Sequence, residues 1–142
     1  ELTNPSQLSK REIVILASIV EKETGAAKER PLIAAVFINR LDRGMRLETD
    51  PTVIYGIPDF NGNLRKKHLV DETNPYNTYR ISGLPPGPIS NPGADALLAV
   101  VEPTADSEFL YFVSRNDGTH HFSKTYREHV NAVNRYQRRR KP

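Results

Sequence analysis

The chain's 142 residues suit one domain, and 37% hydrophobic with 26% charged residues is ordinary globular composition with enough apolar surface for a real core. The absence of cysteine excludes disulfides, thiol catalysis and thiolate zinc sites, and leaves the compartment open. The net charge of +3 arises from Arg135, Arg138, Arg139, Arg140 and Lys141 at the C-terminus; this is the pattern of a solvated helix end, not of a basic face spread out to dock nucleic acid.

The chain opens on polar Glu1-Leu2-Thr3-Asn4-Pro5, which is no signal peptide, although a domain excised from behind its targeting segment would look the same. Ser9 and Glu12 then form a capping box, and Gly25 is placed to close the helix it opens, so a helix is expected over about 10–24. Its apolar stretch from Ile13 to Val20, interrupted by Ser18, is too short to span a membrane and reads as a core helix. With about 100° of rotation per residue and Val20 at the centre of the buried face, Ile13, Leu16 and Thr24 lie within about 40° of it. Arg11, Ser18 and Lys22 point away. Glu23 falls about 60° from the centre and Glu21 about 100° away on the other flank. At this end of the helix the dipole and the apolar neighbours both disfavour an ionised carboxyl, which is the condition a general acid requires. Glu23 is thus the better candidate for a half-buried functional carboxyl and Glu21 the alternative. Both can equally be ordinary polar residues paired to a lysine or arginine.

A second helix is expected over about 29–43, with Pro31 in its first turn and Gly44 after its end. Residues 45–93 lose helical periodicity and are crowded with turn formers, among them Asp50-Pro51, Asn61-Gly62, Asn74-Pro75 and the proline-rich run from Gly83 to Gly93. A stretch of that length is functional or disordered, and its interspersed Val53, Ile54, Tyr55, Tyr76, Tyr79, Ile81 and Leu84 argue for order. Asn91 as N-cap and Pro92 at the first helical position then predict a third helix to Val101. A strand at 109–114, a turn at Asn116-Asp117-Gly118 and a partner strand at 120–122 make a hairpin. Thr125 and Glu128 form a second capping box, opening a last helix with Val130, Val133 and Tyr136. The fold class is α+β: helices around a small antiparallel sheet, with a long ordered loop region.

Ala17-Ser-Ile-Val-Glu-Lys-Glu-Thr24, Val36-Phe-Ile-Asn-Arg-Leu41, Gly44-Met-Arg-Leu47, Thr49-Asp-Pro-Thr-Val-Ile-Tyr-Gly56, Tyr76-Asn-Thr-Tyr79, Gly83-Leu-Pro-Pro-Gly-Pro-Ile89, Asn91-Pro-Gly93 and Leu110-Tyr-Phe-Val113 stand in this order along the chain. A histidine-bearing tail with His120, His121 and His129 follows. Together these motifs resemble the catalytic domain of the YceG-like endolytic murein transglycosylases, and the resemblance covers nearly the whole chain. It implies a bacterial cell-envelope enzyme anchored in the inner membrane, with an extracytoplasmic catalytic domain. Such an enzyme cuts peptidoglycan glycan strands between N-acetylmuramic acid and N-acetylglucosamine and leaves 1,6-anhydro ends. One glutamate on the first helix acts as acid and base; the matching position is Glu23, with Glu21 two residues away in the same motif. The resemblance further implies no cofactor, no metal and no nucleic acid, glycan strands as partner, and cell-wall synthases as candidate partners. The family's membrane helix and small upstream domain are not in this chain. Glu48 stands where similar proteins often have glutamine, which leaves open whether it only hydrogen-bonds sugar or adds charge to the cleft.

A glycan cleft calls for amides, hydroxyls and aromatic faces, and Tyr76, Asn77, Thr78 and Tyr79 supply these in one segment. Either tyrosine can instead be a core residue with a satisfied hydroxyl. Asp50 and Tyr55 are weaker substrate-binding candidates, and Ser90 and Asn91 complete the set. The proline-rich run can form a rigid cleft wall or a stiff connector. Three rival readings remain beside the transglycosylase. A metal site from His120, His121 and His129 is disfavoured because neighbours on a strand point to opposite faces. A non-catalytic glycan-binding module, or a hydrolytic muramidase with Asp50 or Glu48 as second carboxylate, is separable by product analysis.

Overall fold

The structure, a computed structural model, describes residues 7–138. The polar opening Glu1 to Pro5 and, from the basic tail, Arg139 to Lys141 lie outside the described residues. The elements are α1 (Lys10–Glu23), a 3₁₀ turn (Ala27–Glu29), α2 (Arg30–Asp42), α3 (Asp50–Tyr55), α4 (Lys66–Leu69), α5 (Ala94–Val101), β1 (Tyr111–Ser114), β2 (His120–Ser123), α6 (Tyr126–Val133) and a π-helical turn (Asn134–Arg138). Helices packed against one antiparallel hairpin make the fold α+β, as the sequence predicts.

Helix α1 forms where its capping box places it, with Ser9 N–H donating to Glu12 Oε1 at 2.8 Å and Glu12 N–H to Ser9 Oγ at 3.1 Å. Its other end departs from expectation. Gly25 is not left-handed; Thr24 caps the helix in extended backbone, φ −149°, and its Oγ1 accepts the Ala26 N–H at 2.9 Å. The burial is wider than the wheel allows, since every residue from Ile15 to Val20 is buried. Ser18, read as pointing outward, is completely buried. The reason is the proline-rich run, which crosses the back of α1. Ser18 Oγ accepts the Ile89 N–H at 2.9 Å and donates to Ile15 O at 2.6 Å, while Ser90 Oγ donates to Ser18 O at 3.0 Å.

On the other side α1 packs against α2 and α5, and Leu16, Ile19, Val20, Ile33, Phe37 and Val100 form the centre of the core. Helix α5 begins two residues later than predicted. Its N-cap is Gly93, and Asn91 is exposed and makes no cap. The acceptor comes from α1: Glu21 Oε1 receives the Gly93 N–H at 2.9 Å. Helix α3 replaces the turn read at Asp50-Pro51. Proline is tolerated in a first helical turn, and six residues are too few to display a helical period.

The hairpin pairs Tyr111 with Ser123 and Ser114 with His120 around a turn in which Asn116 and Gly118 both have positive φ. Strand β1 starts later than predicted because the preceding carbonyls are claimed by α2. Asn39 Nδ2 donates to Ser107 O and Phe109 O at 2.9 and 3.0 Å, and Arg40 Nε to Leu110 O at 2.7 Å. At the opposite end of α2, Glu29 accepts the His120 backbone N–H at 2.9 Å and lies 2.7 Å from its Nδ1. Polar hooks at both ends thus fix the hairpin against α2.

The burial of Ser18 has a measurable consequence. Ser18→Ala leaves the Ile89 N–H unpaired in a dry interface, so urea unfolding should show a loss of about 1–3 kcal/mol. Were the residue outward-facing, the same change would be neutral or slightly stabilising through helix propensity.

Candidate active site

The end of α1, the turn into α3 and Tyr79 form one side of a groove of about 510 Å³, and β1 with α6 forms the other. Val36, Phe37, Arg40 and Leu47 lie between the two sides. Glu23, the last residue of α1, is half-buried and lines this groove. Burial pushes its carboxyl above the ordinary glutamate range; the hydroxyl of Thr49, which donates to Oε2, pulls it back, the Asp50 carboxylate raises it and His120 lowers it. A carboxyl in this setting keeps its proton to higher pH than an ordinary glutamate and still accepts a hydrogen bond once it is lost.

Thr49 is itself held from below. Its N–H donates to Thr78 Oγ1 at 2.9 Å, Thr78 Oγ1 lies 2.9 Å from Thr52 Oγ1, and Thr52 Oγ1 donates to Thr49 O at 3.0 Å. The approach to Thr49 is bent, because Glu48 has φ +50°, a left-handed conformation that costs a non-glycine residue of order 1–3 kcal/mol. Glu48 lines the groove and pairs with Arg40 at 3.8 Å. Asp50 also lines it and accepts the Tyr79 hydroxyl at 2.7 Å. Burial first, then Asp50, pushes the Tyr79 hydroxyl far above its ordinary value, so it stays a phenol and a donor.

Of the sequence-predicted residues, Glu23, Glu48, Asp50 and Tyr79 therefore come together in the groove, and the others do not. Glu21 faces α5 as its cap. Asn77 is completely buried, its Nδ2 donating to His68 O, Leu69 O and Asp71 O at 3.2, 3.1 and 2.9 Å and its Oδ1 accepting the Tyr79 N–H at 2.9 Å. Thr78 is equally buried within the threonine network. Neither presents a polar atom to the groove. Tyr76 packs on the core with its ring 4.8 Å from that of Tyr55, which is 52% exposed; both lie outside the groove lining. Ser90 is bonded to α1, Asn91 is exposed, and the proline-rich run covers the back of α1, so the expected rigid wall is supplied elsewhere.

That wall is the β1–α6 side, whose Tyr111, Tyr126 and His129 sequence reasoning did not assign to the site. The signals were present, as the second capping box and the histidine tail, but nothing local connects this side to a glutamate 88 to 106 positions before Tyr111 and His129. Arg40 was missed too. It is 8% exposed, donates to Leu110 O and Arg46 O at 2.7 Å each, and sits 5.0 Å from the centre of the Tyr111 ring. His120 is engaged by Glu29 and His129 stacks on Tyr111; among the described residues no three His, Asp or Glu side chains gather as a metal site would require.

The description of the YceG-like family matches residues 1–135. Over 131 residues the chain is 37% identical to a Bacillus subtilis protein named endolytic murein transglycosylase, covering 92% of this chain and 36% of the relative. A Streptococcus pneumoniae protein of the same name is 35% identical, covering 89% of this chain and 24% of the relative. The chain thus spans only about a quarter to a third of these relatives. The crystal structure of a YceG-like protein from Listeria monocytogenes superimposes with a TM-score of 0.79 at 41% identity, over 89% of this chain and 40% of that one.

The raised carboxyl makes stability depend on pH with a definite sign. Folding favours the neutral form of Glu23, so its contribution is full in acid and is lost as pH rises through the elevated value. Glu23→Gln should melt with the parent below pH 4.5, the ordinary glutamate value, and several degrees above it at neutral pH. Thermal melts across that range read the difference directly.

Proposed function

The chain belongs to the YceG-like family, and from that premise we propose that its groove cleaves peptidoglycan glycan strands as the catalytic centre of a lytic transglycosylase. The observation that carries this reading is the division between two neighbouring carboxyls: Glu21 is committed to the end of α5, and Glu23 stands in the groove with its proton favoured by burial.

In this mechanism Glu23 protonates the glycosidic oxygen between N-acetylmuramic acid and N-acetylglucosamine, and the bond to the anomeric carbon breaks. The acetamide of the muramic ring steadies the positive charge that develops. Glu23, now a carboxylate held by the Thr49 hydroxyl, takes the proton of the same ring's 6-hydroxyl as that oxygen bonds to the anomeric carbon. The product is a 1,6-anhydro ring, no water is consumed, and Glu23 ends protonated. One carboxyl suffices for both steps, whereas a hydrolytic glycosidase of the usual kind needs two. Asp50, already accepting from Tyr79, then serves to raise Glu23 and orient the phenol. On this reading the domain works outside the cytoplasm as part of a membrane-anchored protein, with peptidoglycan as its partner and cell-wall synthases as neighbours.

Glu23→Gln should abolish cleavage of purified glycan strands while the circular dichroism spectrum is retained, since a positioned acid–base is worth on the order of 10² to 10⁴ in rate. Glu21→Gln should keep cleavage and lose a little stability. The reverse pattern would move the role to Glu21. Mass spectrometry of the digest should find muramic ends lighter by one water than hydrolysed ends; hydrated, reducing ends would make the protein a muramidase with Asp50 as second carboxylate.

Thr49→Val removes the hydrogen bond that favours ionised Glu23, so the carboxyl should rise further. The alkaline limb of the rate profile should then move to higher pH and the maximal rate should fall. Thr49→Ser should restore both.

A further inference from the structure

The β1–α6 side of the groove carries a surface for which the acid–base chemistry has no use. Helix α6 places Tyr126 and His129 three residues apart on one face, and that face lies over Tyr111 of β1. The rings of Tyr111 and His129 are stacked at 5.0 Å with planes 20° apart; Tyr126 closes the cluster at 5.9 Å from Tyr111 and 6.4 Å from His129. All three line the same groove as Glu23. Tyr126 is 66% exposed, more than any other large apolar side chain left open among the described residues. An aromatic ring so open at the edge of a concave site is the usual form of a subsite that takes a flat, partly apolar ligand.

We propose that Tyr111, Tyr126 and His129 form a subsite for an uncharged N-acetylated aminosugar ring, of the N-acetylglucosamine type, on the β1–α6 side of the groove. The proposal rests on the glycan-cleaving reading and adds to it which part of the substrate is held, and where. A pyranose presents a face of C–H groups that packs on aromatic rings, and the stacked pair with Tyr126 offers such a face. His129 Nδ1 is buried with no hydrogen-bond partner, so the ring proton belongs on Nε2, which joins the Tyr111 and Tyr126 hydroxyls as an uncharged donor of the cluster. Burial first, and then Arg40 and His121, hold the imidazole below its ordinary value and hence neutral. An N-acetyl carbonyl is the acceptor on an aminosugar that such a donor fits.

The charges around the groove argue for an uncharged ring. Arg40 is spent on backbone carbonyls and on Glu48, and the remaining ionisable side chains of the opposite side are the acids Glu23, Glu48 and Asp50 and the neutral phenol Tyr79. Among the described residues that line the groove, an anionic ligand would meet no free cation, whereas a neutral sugar meets hydrogen-bonding groups and aromatic faces.

The test uses the full chain carrying Glu23→Gln, titrated with chitotetraose, a neutral N-acetylglucosamine oligomer, by calorimetry or NMR. Adding Tyr126→Ala should weaken binding by about tenfold, the scale of one aromatic contact, without lowering the melting temperature. Tyr126→Phe should bind within a factor of about two of the parent, since the stacking face is kept. His129→Ala should weaken binding of chitotetraose but not of its deacetylated counterpart, the signature of a bond to the acetyl group. Undiminished binding in Tyr126→Ala and His129→Ala, or failure of the parent to bind millimolar chitotetraose, overturns the proposal. Loss in Tyr55→Ala with none in Tyr126→Ala would overturn it in favour of the Tyr55–Tyr76 pair. Formation of anhydro ends from peptidoglycan is read separately, so the subsite can fail while the cleavage reading stands.

Discussion

Both sides of the groove are held by one buried guanidinium. Arg40 leaves α2 and donates to the carbonyls of Arg46 and Leu110, pairs with Glu48, and lies against the ring of Tyr111. Burial lowers its affinity for the proton, with Glu48 opposing, yet a guanidinium starts so high that it remains charged. A buried charge is tolerable only when its donors are met, and here they are met by backbone. The segment leading to Glu48, Thr49 and Asp50 is thereby placed against α2, and the strand carrying Tyr111 is placed against the same helix. The distance between acid and aromatic surface therefore depends on a helix that carries neither.

Glu21 and Glu23 show how position on a helix divides one chemistry into two. Two residues apart, they project about 200° from each other. One accepts the Gly93 amide at the start of α5. The other meets buried apolar surface and the Asp50 carboxylate, which favour a proton and outweigh the opposing Thr49 hydroxyl. The same side chain is thus a helix cap on one flank and a carboxyl whose proton is favoured on the other.

The long segment between α2 and α5 is ordered by polar groups that have left water. Asn77 ties three carbonyls and an amide, Asn74 Nδ2 donates to Val53 O at 3.1 Å, and the Thr49–Thr52–Thr78 network lies beneath Glu23. Asparagine and threonine are the residues expected both of a sugar-binding loop and of a loop that hydrogen-bonds itself. Composition does not distinguish these uses; burial does, and it assigns Asn77 and Thr78 to the second.

The features legible in the chain were those written within a few residues of one another. Both capping boxes, the extent of α1 and α2 to within about a residue, the hairpin turn and the placing of Glu23 and Glu21 on opposite flanks of α1 follow from i to i+3 bonds and a 3.6-residue period, which any local window contains. What the period could not contain was a partner from elsewhere. Ser18 is buried because residues 89 and 90 pass behind it, α5 starts at Gly93 because Glu21 reaches it from α1, and β1 begins at Tyr111 because Asn39 and Arg40 take the carbonyls before it. The composition of the groove was decided in the same way: four of its expected residues arrived there, and the aromatic side came from a hairpin and helix about a hundred positions downstream. Local sequence determines the longer elements and the flank of α1 on which each carboxyl stands; only the packing of distant segments decides what surrounds them, because desolvation and ring stacking depend on neighbours in space and not on neighbours in the chain.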